Sequence, residues 1–320
     1  MTAYILHLAI VAGIYIILAV SLNLIIGYAG QVSLGHAAFF GIGAYASTLA
    51  VLSWQVSYPL AALTAILFTG LCGLALGLPT LRLKEDYLAI VTLGFGVILD
   101  LFMRNLEITG GPDGIVGIPS PVILGLSFRD PVLYLLLVGL GVAVTLLFTY
   151  MLVTSYHGRA LKAIRDHEIT AQVMGINSPA YKVAIFALAA ALAGLAGSLF
   201  AHYIKHINYE SFGLHTSIMI LCMVVLGGMG HIPGVILGAL LLTMLPELLR
   251  YIGPLQQELI GRVVVDPSDL RMLLFGVALV LVMLFRPQGL WPSPVRAREL
   301  RPENPDEVHQ EQEALYDAER

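Results

Sequence analysis

Charge is scarce in this chain. Only 12% of its 320 residues are Asp, Glu, Lys or Arg, about half the share of a soluble domain. Hydrophobic residues make up 58% and the mean hydropathy is +0.85. This balance excludes an ordinary soluble domain and points to a polytopic membrane protein. Cysteine is scarcer still. Cys72 and Cys222 both sit in apolar runs, where they read as buried thiols, and two cysteines build neither a disulfide framework nor a metal knot. Catalytic and nucleotide motifs are also missing. There is no G-x-x-x-x-G-K-[ST] loop, so this chain does not hold ATP in a P-loop. There is no H-E-x-x-H, no G-x-S-x-G and no carboxylate cluster. No catalytic residue and no metal site is expected. The net charge of −4 comes without a sustained basic face, which argues against nucleic acid as a partner. Ionisable residues are few inside the apolar runs, which weighs against a proton-coupled carrier.

What is present is a series of apolar runs at 3–26, 36–53, 58–80, 87–105, 131–153, 180–203, 214–231, 233–251 and 270–286. A hydrocarbon core takes about 20 helical residues. The expected fold is therefore all-α and polytopic, with about 8–10 transmembrane helices, some of them broken. Residues 3–26 carry no positive leader region and no small-residue cleavage site, so they read as a retained span rather than a signal peptide. The Lys and Arg residues near helix ends give orientation. Arg82 and Lys84, then Arg159, Lys162, Arg165 and Lys182, then Arg286, Arg296, Arg298 and Arg301 fall on one face when the spans alternate. That face is assigned to the cytoplasm. Residues 1–291 form the membrane domain. Residues 292–320, broken by prolines and rich in Glu and Asp, read as a disordered cytoplasmic tail.

Four glycine-rich segments are expected to break helices at membrane depth: Gly27–His36, Thr92–Gly96, Thr109–Gly114 and Gly227–Gly234. Irregular backbone survives in a bilayer only where protein or a water-filled cavity satisfies it. Gln31, Ser33 and His36 add polarity to the first break. A substrate path and close helix packing account for these three residues equally well. Asp100 and Arg104 stand four apart and are expected to pair at the bundle rim. His202 and His206 share a helix face, with Glu210 and His215 nearby, and are read as exposed histidines at a helix end rather than as metal ligands.

The polar segment 155–178 stands apart from its apolar flanks. It is far longer than a turn between spans needs. It is patterned as a short amphipathic helix lying across the membrane surface. Leu161, Ile164, Ile169, Val173 and Met174 give it an apolar face for another protein's cleft. Gly175 is placed at the helix C′ position, with Pro179 blocking continuation.

Six stretches together resemble the permease subunits of bacterial branched-chain amino acid ABC importers. They are Gly27–Tyr45, Arg82–Ile90, Thr109–Ile115, Gly158–Asp166, Val225–Gly230 and Arg286–Pro292, and they occur in family order. The resemblance implies an ABC importer permease fold in the bacterial inner membrane, with no cofactor on this chain. It implies a homologous permease to complete a heterodimeric pore, two ATP-binding cassette ATPase subunits that use the ATP, and an extracytoplasmic substrate-binding protein. It makes 155–178 the coupling loop, with Arg159, Lys162, Arg165, Asp166, Glu168 and Gly175 facing the ATPase. The family's E-A-A-x-x-x-G element is matched loosely by Glu168–Gly175, with one extra residue before the glycine. The implied cargo is a branched-chain or other neutral amino acid. Rival readings are a permease for urea or short-chain amides, and an autonomous channel or secondary carrier.

Overall fold

The computed structural model describes residues 2–80, 85–123 and 125–250, together with 276, 277, 280, 284, 290 and 291. The expected ninth span lies largely outside the described residues, although 276, 277, 280 and 284 are helical. Arg82, Lys84 and the segment 292–320 also lie outside them.

Ten α-helices account for the other eight runs and the polar loop. They are α1 (Thr2–Asn23), α2 (His36–Trp54), α3 (Tyr58–Thr80), α4 (Glu85–Asn105), α5 (Pro131–Thr154), α6 (Tyr156–Asp166), α7 (Glu168–Val173), α8 (Ser178–Ile204), α9 (Leu214–Gly227) and α10 (Ile232–Arg250). Seven helical segments among the described residues are long and apolar enough to cross a membrane, and the apolar part of α10 is shorter. Local chemistry sets the ends. Asp130 caps α5 by accepting from Val132 N–H, with Pro131 in the first turn. Asn177 caps α8 by accepting from Ala180 N–H, with Pro179 in its first turn, so Pro179 opens a helix as well as closing off the one before it.

Burial sorts the helices into a centre and a rim. The spanning segment that contains α1 has 78% of its window buried, and α4 only 17%. α8 packs along α2 and α3, while α1 packs on α5, α8 and α10. Small residues allow the closest approaches. A Cβ on Gly43 would collide with the backbone of Gly194, and one on Gly197 with the backbone of Phe40 and Ala44. Phe39, Phe40, Phe186, Phe200 and Phe212 interlock around this seam. At the end of the bundle away from α6 and α7, strand β1 (Ile115–Val116) pairs antiparallel with β4 (His206–Ile207), and β2 (Val122–Ile123) with β3 (Leu126–Ser127).

Two of the four expected breaks are present, at Gly27–His36 and Gly227–Gly234. Thr92–Gly96 is not a break, for α4 runs unbroken through it. Glycine keeps its amide, so the hydrogen-bond ladder continues. The segment instead receives the first break, because a Cβ on Gly35 would collide with Thr92 O and Leu34 N–H donates to Thr92 Oγ1 at 3.0 Å. Thr109–Gly114 lies beyond the end of α4, in two 3-10 turns rather than at membrane depth. Gly114, at φ +70°, lets the chain pass against Ile207 O beside the β1–β4 pair.

If the α2–α8 seam holds the centre together, Gly197→Ala destabilises by about 1–3 kcal/mol through overpacking. Gly139→Ala, which meets nothing within 4 Å, is neutral or mildly stabilising. Thermal unfolding of the two variants in detergent checks this. Equal midpoints would refute the seam.

Candidate functional site

The first break begins as a change of helix type. After Asn23 the chain forms a π-helical turn, Leu24–Tyr28. Gln31 N–H bonds to Ile25 O at 3.1 Å, which leaves Gly27 O to be satisfied from elsewhere. Gly30 then takes φ +72° and the chain turns toward α2. The second break, between α9 and α10, packs directly against the first. Asn23 Oδ1 accepts from Gly230 N–H at 2.8 Å, and a Cβ on Gly27 would collide with Gly230 N. Leu290 N–H donates to Leu226 O at 2.9 Å and Trp291 N–H to Gly227 O at 3.3 Å. They satisfy carbonyls that the end of α9 leaves free.

Arg165 joins the polar loop to this junction. Its Nη1 donates to Gly27 O at 3.0 Å, and its Nε to Asp166 Oδ1 at 2.9 Å. Its stem also lies against Gly30, and a Cβ on Gly230 would stand 3.5 Å from Nη1. One side chain of α6 therefore bonds to the first break and lies close to the second. A hydrogen bond from a charged donor is worth about 1.5–3 kcal/mol.

The polar segment is two helices, not one. Leu161 and Ile164, expected to serve a partner's cleft, are buried in this chain's own bundle at 2% and 3% exposure. They face inward because α6 lies on the end of α5 and on the π-helical turn Leu24–Tyr28. The exposed apolar residues are Ile169, Val173 and Met174 of α7 and its end, at 79%, 82% and 78%. Glu168 is tied to Lys182 of α8 at 2.7 Å. Arg159 is exposed, with Nη1 3.4 Å from Thr154 O, and Lys162 lies 5.8 Å from the Tyr28 ring centroid. Gly175 takes φ +86° at C′. Its N–H bonds to Gln172 O at 2.9 Å, and Ile176 N–H to Ala171 O at 3.0 Å. That pair is the Schellman closure.

Gln31, Ser33 and His36 are all buried. His36 Nε2 lies 2.7 Å from Ser21 Oγ, while Gln31 Oε1 and Ser33 Oγ have no hydrogen-bond partner among the described residues. Beside them a cavity of about 150 Å³ is lined by Leu34, by Gly96 and Asp100 of α4, and by Leu214 and Ser217 of α9. Ser217 Oγ accepts from Ala37 N–H at 3.0 Å. Asp100 and Arg104 form no ion pair among the described residues. The Arg104 guanidinium lies over the Tyr209 ring at 5.6 Å instead. His202 is 1% exposed rather than a surface residue, with Nδ1 2.9 Å from Pro119 O. Sequence reasoning missed Asn23, Asp100 as a cavity residue, and Ser217. Of these, a carboxylate inside an apolar run was the one signal available.

The family described as branched-chain amino acid transport system / permease component matches residues 4–283. The high-affinity branched-chain amino acid transport system permease protein LivM of Escherichia coli (strain K12) is 40% identical over 307 residues, covering 87% of this chain and 68% of that protein. The probable branched-chain amino acid transport permease protein LivM of Methanocaldococcus jannaschii is 30% identical over 320 residues, covering 88% and 91%. The permease protein LivH of Salmonella typhimurium, from a high-affinity branched-chain amino acid transport system, is 24% identical over 248 residues, covering 71% and 79%. No solved structure matches the chain. A match over nearly the whole bundle, both breaks included, makes this multi-pass membrane protein a member of the branched-chain amino acid transport system permease-component family.

Proposed function

We propose that this chain forms half of a heterodimeric pore in the bacterial inner membrane, and that the pore imports branched-chain or other neutral amino acids. A homologous permease supplies the other half, two ATP-binding cassette subunits drive it, and an extracytoplasmic binding protein delivers the cargo. The observation that carries the reading is the α6–α7 unit. It exposes Ile169, Val173 and Met174 beyond the ends of the spans, and its Arg165 bonds to the first broken helix beside the second. An apolar patch on a charged surface segment suits a partner's cleft. In this reading Arg159, Lys162, Asp166 and Glu168 flank the docking surface, Gly175 ends α7, and α6 and α7 face the cytoplasm. The relatives' names supply the cargo class.

Reconstitution of the complete assembly in proteoliposomes tests this function. Radiolabelled leucine accumulates only with ATP and binding protein present, and urea does not accumulate. Leucine movement by this chain alone, without ATPases, contradicts the proposal, and urea uptake shifts it to the amide branch.

The path reading of Gln31, Ser33 and His36 is part of the same proposal. Its support is the cost of polar groups without partners in a bilayer. Gln31→Leu and His36→Leu then lower leucine uptake severalfold in the same assay while membrane levels of the protein hold. Normal uptake by both variants would leave these residues a packing role only.

A further inference from the structure

Asp100 stands inside the apolar span of α4, where a carboxylate is expensive and is normally paired. Here it is not. Among the described residues it has no hydrogen bond and no ion pair, and its charged neighbours are Arg104 and Glu210. Arg104 is turned onto the Tyr209 ring at 5.6 Å. Glu210 adds a second negative charge to the surroundings rather than neutralising the first. Asp100 is also the one ionisable group lining the cavity of about 150 Å³ beside the first break.

The rest of that lining fits one class of ligand. Leu34, Val97, Phe212 and Leu214 form apolar walls. Ser217 Oγ already accepts from Ala37 N–H, so its own proton remains to be donated to an anionic oxygen. An unpaired carboxylate, a hydroxyl donor and apolar walls complement an α-ammonium, an α-carboxylate and an aliphatic side chain.

We propose that Asp100 recognises the α-ammonium group of the amino acid in transit. The proposal rests on the amino acid reading of the function and adds a selection step within the membrane. A neutral amide or urea would bring Asp100 no cation beyond Arg104, and the cost of a carboxylate without a direct partner in the span disfavours its passage. Charge matching at the cavity thus filters cargo a second time, after the binding protein.

The test uses the complete assembly with its binding protein and ATPases in proteoliposomes. Asp100→Asn keeps the shape and removes the charge. It is expected to lower leucine uptake at least tenfold, with the assembly intact and basal ATP hydrolysis unchanged. Asp100→Glu keeps the charge and retains more uptake than the isosteric Asn. A second measurement covers the case in which Asn perturbs assembly. In a Cys72→Ser, Cys222→Ser background, Asp100→Cys is modified with a thiol reagent carrying either a carboxylate or an ammonium group. The carboxylate reagent restores uptake and the ammonium reagent does not. Wild-type uptake by Asp100→Asn overturns the inference, as does equal impairment of Asn and Glu or equal rescue by both reagents. Uptake that requires Na⁺ when choline replaces it would make Asp100 a metal-cation site and also overturns it. Failure of the wild-type assembly to take up leucine would instead defeat the amino acid reading itself, so the two failures are distinguishable.

Discussion

The carbonyl of Gly27 takes its hydrogen bond from Arg165, a residue far along the chain in another helix. A bilayer supplies no water to an open backbone group, so a broken helix survives only where protein closes it. The two breaks close one another. Asn23 accepts from Gly230 N–H, and Gly27 packs on Gly230 with no room for a side chain. Arg165 completes the junction from the surface helix α6. Take it away and Gly27 O is left open where two irregular segments cross.

The same interaction gives the fold a mechanical connection. α7 offers apolar side chains outward, and α6, one residue before it, is anchored inward through Leu161, Ile164 and Arg165. Glu168 and Lys182 bind α7 to the base of α8. In the proposed assembly, a partner that moved α7 would therefore pull on the first break, α8 and the α9–α10 junction together. Toward the other side of the first break, Leu34 N–H is held by Thr92 and Ala37 N–H by Ser217, so a shift of the break is felt at the wall of the Asp100 cavity. Close-packed elements of this kind switch between discrete arrangements rather than deform smoothly.

Much of the fold is legible in the sequence, because hydropathy and length dictate spans and because left-handed glycine has few substitutes. Gly175 and Gly30 are cases of the second kind, each at the turn their φ requires. The break at Gly27–His36 was legible too, since glycines and Gln31, Ser33 and His36 together have no place in a lipid-facing helix. Several of the misreadings share one cause: a side chain's partner comes from a remote segment. Glycines alone made Thr92–Gly96 look like a break, whereas Thr92 serves as the seat for Leu34. The i, i+4 spacing of Asp100 and Arg104 favoured a pair, but Tyr209 from the α8–α9 loop drew the arginine away. The amphipathic pattern of α6 does not show which face the chain itself buries, so on sequence Leu161 and Ile164 point to a partner. Sequence places Arg165 among charged surface residues, and only the tertiary structure shows its bond to Gly27 O.

The central claim is that Arg165 couples the proposed docking helices, α6 and α7, to the broken helices. The most direct measurement is the ratio of leucine imported to ATP hydrolysed by the complete assembly carrying Arg165→Ala, with Arg165→Lys beside it. The account predicts that hydrolysis persists while the ratio falls at least tenfold in the alanine variant, equivalent to about 1.4 kcal/mol of lost coupling, with lysine intermediate because it keeps the charge without the fork. An unchanged ratio in Arg165→Ala, with the protein stably assembled, would contradict it.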